Sequence, residues 1–367
     1  MGQTKKAPVI AVSGLHRGES PQPGGAVIQS IRAHDPEIRF VGISYDIMET
    51  GLFSQGSDRA DAAYLFPYPM AGAESLLTRI KEVHARENLS LIIPTLDSEL
   101  ENLIALREDL ARMGIAVVAP DRGALVARSK PMLEVLGPQA GVATPRTRMA
   151  GTAAGLAAEA ARIGYPCFVK GALYEAHLVH SEAQLLSAFS GIFSVWGGPV
   201  LVQEAIYGEE YDIAAVGDGK GGVVGAVAVR KLLRSRMGKA FAGVVVDDPA
   251  INEITKRLFA ILKWRGPLEI ELVKPQGQPH FLFEINPRFP AWISFAAKIG
   301  LNLPAWVAAD ALGRPVPHLS PGKPGTMFLR HCEDIVADIS QIADLSIDRE
   351  TGDTSIGQDN NRGSVDA

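Results

Sequence analysis

Residues 281–290, with the sequence FLFEINPRFP, constrain this chain more than any other stretch. Side chains alternate across a strand, so the odd-numbered apolar residues share one face and Glu284 and Asn286 share the other. A carboxylate and an amide oxygen side by side on a rigid strand are hard ligands, which suit magnesium held together with nucleotide phosphates. Arg288 follows directly and could hold a phosphoryl group by bidentate hydrogen bonds.

A partner strand is predicted just before this stretch. Residues 268–273 have strand character, with Glu269 and Glu271 on one face, and residues 275–279 contain the prolines and glycine of a turn. A hairpin here would bring Glu271 beside the two polar residues of the following strand, which gives three oxygen-donor side chains in one cluster. The alternative is two ordinary half-buried strands whose polar face lies in water.

The first third of the chain alternates between predicted strands and predicted helices. The strands are predicted at residues 9–13, 40–44, 91–94 and 116–119, and the helices at residues 26–33, 76–86 and 97–113. This alternation is typical of a parallel α/β sheet.

Two loops leave the carboxyl ends of these strands, where open α/β sheets bind ligands. The loop after the first strand contains His16 and Arg17, and the loop after the third contains Asp97 and Glu99. We predict that these side chains contact substrate, with Asp97 or Glu99 holding an amine. The alternative for Asp97 is that it caps the helix that follows it.

A glycine-rich segment at residues 217–222 matches the dinucleotide-binding pattern G-x-G-x-x-G. That pattern needs a helix to follow, so that the helix amino terminus meets the pyrophosphate. Residues 223–229 are β-branched and strand-like instead. We therefore interpret the glycines as a hairpin turn.

The stretch from residue 230 to residue 239 is strongly basic, with Arg230, Lys231, Arg234, Arg236 and Lys239. We predict a loop here, followed by a strand at residues 241–246. A basic loop that faces a nucleotide site could close over the γ-phosphate or a substrate carboxylate. The alternative is a loop in solvent.

Composition excludes several classes of protein. A chain of 367 residues suggests two or three domains, and its net charge of -5 indicates no affinity for nucleic acid or an anionic membrane. Cys167 and Cys332 make neither a disulfide framework nor a metal-site spacing, so a cytoplasmic location is predicted. Residues 346–367 are polar and are predicted to be a disordered tail.

Several segments resemble one known family. The sequence FEINPR at residues 283–288 resembles the metal-binding signature of the ATP-grasp superfamily. Residues 92–100 and the segment that begins near Lys130 are similar to carbamoyl phosphate synthetase-like enzymes. Lys170 closes a short apolar strand in the manner of the second nucleotide-binding lysine of the superfamily. Residues 200–210 resemble the ATP-grasp hinge.

The resemblance implies a role for each matching side chain. The implied ATP ligands are Lys130, Lys170, Glu204, Ile206 and Glu210, the implied ligands of Mg²⁺ or Mn²⁺ are Glu271, Glu284 and Asn286, and the implied catalytic residues are Arg288, Arg234 and Lys239. The sequence departs from the commonest pattern after Lys170, because residues 171–177 lack the glycine-rich loop that many members place over the phosphates.

The resemblance also implies a fold, an activity and partners. The fold would be α/β, with a Rossmann-like pre-ATP-grasp domain at residues 1–125 and a two-lobed α+β ATP-grasp domain at residues 126–200 and 201–345. The activity would be ATP-dependent ligation of a small carboxylate to an amine through an acyl phosphate, in a homodimer without nucleic acid or membrane partners. The alternatives are a bicarbonate-activating enzyme like biotin carboxylase and a catalytically inactive nucleotide-binding accessory protein.

Overall fold

The structure is a computed structural model that describes residues 7–171, 175–348 and 350. The strands are β1 (Val9–Ser13), β2 (Arg39–Ser44), β3 (Ala62–Leu65), β4 (Leu91–Ile93), β5 (Ala116–Val117), β6 (Thr147–Ala150), β7 (Cys167–Lys170), β8 (Ala176–Val179), β9 (Val200–Glu204), β10 (Glu209–Asp218), β11 (Val223–Arg234), β12 (Ala240–Val246), β13 (Arg265–Lys274), β14 (Phe281–Asn286) and β15 (Met327–Leu329). The helices are α1 (Gly24–His34), α2 (Gly72–Glu87), α3 (Leu100–Ala105), α4 (Arg107–Arg112), α5 (Arg122–Ala127), α6 (Leu133–Ala140), α7 (Ala153–Ile163), α8 (Glu182–Trp196), α9 (Pro249–Leu262), α10 (Ile293–Lys298), α11 (Leu303–Ala311) and α12 (Ile339–Asp348).

The amino-terminal sheet is parallel, with strand order β3-β2-β1-β4-β5. The first four residues of β1 are apolar and the last is Ser13. All five are buried, as expected for a central strand covered on both faces. Helix α1 follows on one side, and α2 and α3 pack on the other. The predicted Rossmann-like α/β sheet is therefore confirmed, and β3 is a strand that the sequence did not indicate.

The predicted helix at residues 97–113 is broken in the structure. A 3-10 turn at Asp97–Glu99 leads into α3, and a single residue separates the end of α3 from the start of α4. The break is at Leu106, where φ is -90° and ψ is 0°. The apolar face of both short helices still packs on the parallel sheet, because Leu103, Leu106 and Leu110 are all buried.

A six-stranded antiparallel sheet forms the largest part of the chain, with order β14-β13-β10-β11-β12-β15. One face is covered by α6 and α9, and the other packs against α1, α10 and α11. The side chain of Asp248 accepts a hydrogen bond from the amide of Ala250 and so begins α9, with Pro249 as its first residue. The face shared with α1 joins this sheet to the parallel sheet in one continuous apolar core.

The glycine-rich segment is a hairpin turn between β10 and β11, as predicted. Gly219 and Gly221 both have positive φ, which explains the need for glycine there. The predicted basic loop is shorter than expected, because β11 continues to Arg234 and pairs with both β10 and β12. Lys231 and Arg234 are therefore strand residues, and this part of the loop prediction was wrong.

The four-stranded sheet has the order β6-β9-β7-β8 and carries α7 and α8 on one face. The hydroxyl groups of Thr152 and Ser181 cap the two helices by accepting amide hydrogen bonds. β9 belongs to this sheet up to Glu204, four residues past the predicted limit between the two ATP-grasp lobes. The predicted domain limits all stay predictions.

The beginning of the predicted carboxyl-terminal tail is part of a helix. Helix α12 ends at Asp348, so the first three residues of the predicted tail are helical. Residues 351–367 lie outside the described part, as do residues 172–174 in the segment after Lys170. Among the described helices, none combines the length and apolar character needed to cross a bilayer.

Candidate active site

The hairpin of β13 and β14 brings together the three oxygen-donor side chains, as predicted. Glu271 lies opposite Glu284 and Glu269 lies opposite Asn286 in the antiparallel register. The Asn286 amide Nδ2 donates to Glu269 Oε2 at 2.9 Å and to Glu271 Oε1 at 3.1 Å. Four polar side chains from two neighbouring strands therefore form one cluster.

The register slips by one residue at Phe283, which the sequence alternation did not predict. Glu271 pairs with Glu284, but the next residue of β13 pairs with Leu282, so Phe283 is a bulge. Leu282 packs in the core with Ile285. Phe283 instead lies beneath the amine of Lys170, so the predicted common face for Phe283 and Ile285 was wrong.

Each predicted metal-binding carboxylate is paired with a lysine. Lys130 Nζ lies 2.7 Å from Glu284 Oε1, and Lys231 Nζ lies 2.7 Å from Glu271 Oε2. Burial alone would raise the pKa of Glu284, but the charges of Lys130 and Lys170 lower it to about 2. The Glu284 side chain is therefore held as a carboxylate by two lysines that are distant in sequence.

Lys170 reaches this cluster from the four-stranded sheet. It ends β7, is 4% exposed, and has its amine 4.0 Å from the ring centre of Phe283. Burial lowers its pKa to about 8, although Glu284 acts in the opposite direction. The two lysines implied by the resemblance thus both act on Glu284, and Lys170 reaches it from the four-stranded sheet.

The cluster fits a divalent cation that arrives with phosphates. In the described ranges, no three His, Cys, Asp or Glu side chains are arranged as a metal site. Mg²⁺, however, commonly takes one or two protein carboxylates and completes its shell with phosphate oxygens and water. Glu271 and Glu284 are two such carboxylates with hard oxygen atoms. The Asn286 side chain turns its nitrogen toward the glutamates, so it would have to present its oxygen to a cation.

Arg288 is anchored by two acidic side chains. It forms ion pairs with Glu269 and with Asp97, whose Oδ1 is 3.6 Å from Arg288 Nε. Asp97 Oδ2 is also 3.3 Å from Arg128 Nη1. Asp97 does not cap the following turn. The structure places Asp97 between two guanidinium groups, and its predicted contact with substrate stays a prediction.

The side chains predicted to bind nucleotide base and ribose lie along β9 and β10. Glu210 pairs with Arg234 and lies 3.6 Å from Lys231 Nζ, so it adjoins the carboxylate cluster. Glu204 instead binds Arg146, with Oε2 3.1 Å from Nε. Ile206 is half-buried in the connection between the two strands. Their roles toward nucleotide stay predictions.

Glu99 and Arg17, which were predicted to contact substrate, both bind other side chains of the protein. Glu99 is 2% exposed and accepts hydrogen bonds from Ser13 Oγ at 2.6 Å and from the hydroxyl of Tyr45. Its carboxyl group therefore joins the ends of three neighbouring strands, and burial raises its pKa. Arg17 pairs with Asp58, with 3.2 Å between Arg17 Nε and Asp58 Oδ2, and its contact with substrate stays a prediction.

His16 and Lys239 lie where the amino-terminal loop meets the loop between β11 and β12. Burial lowers the pKa of His16, and the positive charge of Lys239 lowers it further. Lys239 Nζ donates to the carbonyl oxygens of Ser20 at 3.3 Å and Pro21 at 3.0 Å. The predicted catalytic lysine therefore lies where the loop after β1 contacts the loop between β11 and β12.

A small cavity of about 20 Å³ lies beside the cluster. Its polar lining comprises Asp212, Lys231, Lys239, Glu269, Glu271, Arg288 and the indole of Trp292. Sequence reasoning missed Asp212, which lies on β10 opposite Glu271. The available signal was an acidic residue next to the apolar run at residues 213–216 of the strand. It also missed Arg330, whose charge helps to lower the pKa of Lys239.

The fold matches several solved structures at low sequence identity. Biotin carboxylase from Campylobacter jejuni is 16% identical with a TM-score of 0.62, over 84% of this chain and 72% of that one. The biotin carboxylase domain of 2-oxoglutarate carboxylase from Hydrogenobacter thermophilus is 17% identical with a TM-score of 0.63, over 84% and 71%. L-amino acid ligase from Bacillus licheniformis is 16% identical with a TM-score of 0.61, over 84% and 75%.

Sequence comparison gives a narrower match. Residues 198–330 match the family described as "ATP-grasp in the biosynthetic pathway with Ter operon". No curated protein is similar enough in sequence to match the chain. The family match covers the strands that carry Glu271, Glu284 and Asn286, and the structural likeness covers 84% of the chain. Residues 198–330 are therefore similar in sequence to an ATP-grasp family, and the chain shares its fold with the biotin carboxylases and the L-amino acid ligase.

Proposed function

We propose that the protein is an ATP-dependent ligase that joins a carboxylate to an amine through an acyl phosphate. The observation that carries this proposal is the convergence of Lys130, Lys170 and Lys231 on Glu284 and Glu271, with Arg288 beside them. Three lysines around two carboxylates form a site for a polyphosphate with its cation.

The chemistry follows from the weakness of a carboxylate as an electrophile. Transfer of the ATP γ-phosphoryl group to a carboxylate oxygen gives an acyl phosphate and ADP. An amine then attacks the acyl carbon, the C–O bond to phosphate breaks, and the amine loses a proton. The products are an amide, ADP and phosphate. Such phosphoryl transfer is catalysed mainly by positioning and by charge stabilisation, so it needs no nucleophilic side chain.

The side chains of this chain supply the positive charge. Lys130 can leave Glu284 to bind phosphate once a cation takes over that carboxylate. When bound by Glu271, Glu284 and Asn286, Mg²⁺ would neutralise charge on the transferring phosphoryl group. Arg288, held by Glu269 and Asp97, would stabilise the acyl phosphate and the tetrahedral intermediate.

The relatives in fold support the proposed ligands and assembly. The Hydrogenobacter domain is described as a dimer in complex with MgADP and bicarbonate. For this chain we propose ATP with Mg²⁺, for which Mn²⁺ can substitute, small-molecule carboxylate and amine substrates, a homodimer, and a cytoplasmic location.

The proposal is tested by a screen for ADP release with amino acids and small carboxylates, offered alone and in pairs. Hydroxylamine added in place of the amine should trap an acyl phosphate as a hydroxamate. We expect ADP release that depends on an acid, and an amide product only when an amine is present. ATP binding without ADP release in any combination would favour the inactive nucleotide-binding protein.

Bicarbonate activation is a second candidate, because the likeness to two biotin carboxylases is as strong as that to the amino acid ligase. The same screen separates the two activities. ADP release that requires bicarbonate and yields no hydroxamate from any other acid would replace the amide ligase proposal.

A further inference from the structure

Asp212 is a buried carboxylate that the proposed phosphoryl transfer does not use. It is 2% exposed and lies in the middle of β10, with its side chain in the small cavity beside the carboxylate cluster. Its Oδ2 accepts a hydrogen bond from the indole nitrogen of Trp292 at 2.8 Å. Its Oδ1 is buried and receives no hydrogen bond from a nitrogen or hydroxyl donor in the described part of the chain.

Each neighbouring carboxylate is paired with a cation, whereas Asp212 forms no ion pair within the described part of the chain. Glu269 is paired with Arg288, and Glu271 is paired with Lys231. Lys231 and Glu269 both act on Asp212 through space, but the lysine amine is bonded to Glu271. Asp212 and Glu269 line the same buried cavity, where two carboxylates repel each other. A ligand that brings a positive charge would relieve this repulsion.

The cavity is small and its walls are firmly placed. Its volume of about 20 Å³ suits a group of the size of one water molecule. Trp292 is 3% exposed and stacks on Phe328 at a ring separation of 5.9 Å. The indole N–H is therefore fixed, and with it the orientation of the Asp212 carboxylate. The apolar part of the wall includes Ala240 and Ala291.

We propose that this cavity binds the ammonium group of the amine substrate, with Asp212 and Glu269 as its acceptors. An ammonium group has three N–H donors and one positive charge, which match the oxygen atoms of the two acidic side chains that share this cavity. Arg288 and Lys239 line the same cavity, so a bound amine would lie beside the group proposed to stabilise the acyl phosphate. This inference rests on the proposed function, because it assigns the second substrate of that reaction.

An ammonium group fits better than a metal ion. Mg²⁺ demands a nearly octahedral set of oxygen atoms, and the described residues offer no such arrangement of three carboxylates. Lys239 and Arg288 also line the cavity and would repel a divalent cation more strongly than a monovalent one. A hydrogen-bonding cation of the size of water satisfies both the volume and the acceptors.

The test measures binding of ammonium itself, without nucleotide. The full chain is titrated with ammonium chloride and, separately, with tetramethylammonium chloride at the same ionic strength, while the melting temperature and the calorimetric heat are recorded. Wild type should show a saturable shift with ammonium and none with tetramethylammonium, which has no N–H donor and is too large for the cavity. Asp212→Asn should weaken ammonium binding by about tenfold or more, because a charged hydrogen bond is lost.

Two further variants separate binding from folding. Asp218 is the exposed last residue of the same strand, at the β10–β11 turn. Asp218→Asn keeps an oxygen that can accept the amide hydrogen bonds of the turn, so ammonium binding should be unchanged. Trp292→Phe keeps an aromatic ring against Phe328 but removes the donor to Asp212, and should weaken binding less than Asp212→Asn. Retention of ammonium binding in Asp212→Asn would overturn the inference, as would equal shifts with tetramethylammonium.

Two further titrations use Mg²⁺ alone and ATP with Mg²⁺. Displacement of ammonium by Mg²⁺ alone, lost in Asp212→Asn, would show a metal site and overturn the inference. A normal shift with ATP and Mg²⁺ but no ammonium binding would overturn this inference and leave the proposed function standing. Loss of the ATP shift with ammonium binding intact would count against the ligase activity and not against the cation site.

Discussion

Glu284 is the residue on which the proposed phosphate site depends most directly. Its carboxylate receives Lys130 at 2.7 Å, and the charge of Lys170 also favours its ionised form. Removing one partner of a buried ion pair leaves the other charge uncompensated and typically costs about 3 kcal/mol. The carboxylate therefore has a structural role before any cation binds.

Glu284→Gln should abolish ADP formation and also lower the free energy of unfolding, because Lys130 and Lys170 lose their common counter-charge. ADP release and urea denaturation measure the two effects. Glu269 is unsuitable as a control because it holds Arg288 and Asn286. Glu253→Gln, on the exposed face of α9, is the matched control and should change neither quantity. Near-normal turnover in Glu284→Gln would contradict the metal assignment.

Asp97 is expected to act on catalysis through Arg288. Asp97→Ala should lower kcat by roughly tenfold or more, since Arg288 and Arg128 lose the carboxylate that orients them. The KM for ATP should change little, and steady-state ADP release measures both constants. Asp121→Ala removes an exposed partner of Arg107 and serves as control. A proportional loss of ATP affinity would show that Asp97 supports the fold and not the position of Arg288.

Lys239 should impose a pH dependence near pH 8. Burial and the positive charge of Arg288 lower its pKa to about 8, so its ammonium form is present below that pH and lost above it. The apparent KM for the acid substrate should therefore rise from about pH 7 to about pH 9. Lys239→Arg stays charged and should have a flatter profile. An identical rise in both proteins would exclude Lys239 as its source.

At the scale of elements, the start of α1 fixes the loop that follows β1. A Cβ atom on Gly24 would lie 2.1 Å from the carbonyl oxygen of Ser13 and 2.5 Å from that of Gly14. The helix can therefore begin this close to the end of the strand only with glycine at its first position. This packing brings the amino-terminal loop, with Ser20 and Pro21, toward Lys239.

Gly24→Ala should lower the free energy of unfolding by about 2 kcal/mol or more, because the backbone must move to accommodate the methyl group. Gly123→Ala in α5 is the control. A Cβ there meets nothing within 4 Å, so the change should be neutral or stabilising by up to about 1 kcal/mol. Thermal and urea denaturation measure both variants. Equal stability of the two would contradict the close packing of α1 on β1.

At the scale of the whole molecule, nucleotide should hold the two lobes together. Lys170 comes from the four-stranded sheet, whereas Glu271 and Glu284 come from the six-stranded sheet. A ligand that binds both stabilises the folded state by mass action, by roughly 2.7 kcal/mol at a concentration one hundred times its Kd.

ATP should therefore raise the melting temperature, and the rise should depend on magnesium. Lys170→Met should reduce it, because one lobe loses its charge toward the phosphates. The same variant without nucleotide reports any effect on stability alone. Absence of a shift with every purine nucleotide at millimolar concentration would contradict the assignment of a nucleotide site.

The sequence by itself determined much of this protein. Periodicity and turn residues located four of the five parallel strands, the β10–β11 turn and the β13–β14 hairpin, because strand alternation and glycine conformation are local properties. The polar residues Glu271, Glu284 and Asn286 could be assigned to one cluster from two adjacent strands alone. The resemblance carried by residues 283–288 then pointed to the superfamily.

Only the tertiary structure decided which charges meet. Lys231 and Glu271 are 40 residues apart, and Asp212 and Trp292 are 80 residues apart. Neither pair leaves a local signal, since each is made by packing strands and loops that are distant in the chain. The bulge at Phe283 and the break at Leu106 are likewise set by the register and burial of neighbouring elements. Local sequence specifies the elements, whereas long-range packing sets the partner and the protonation of each buried charge.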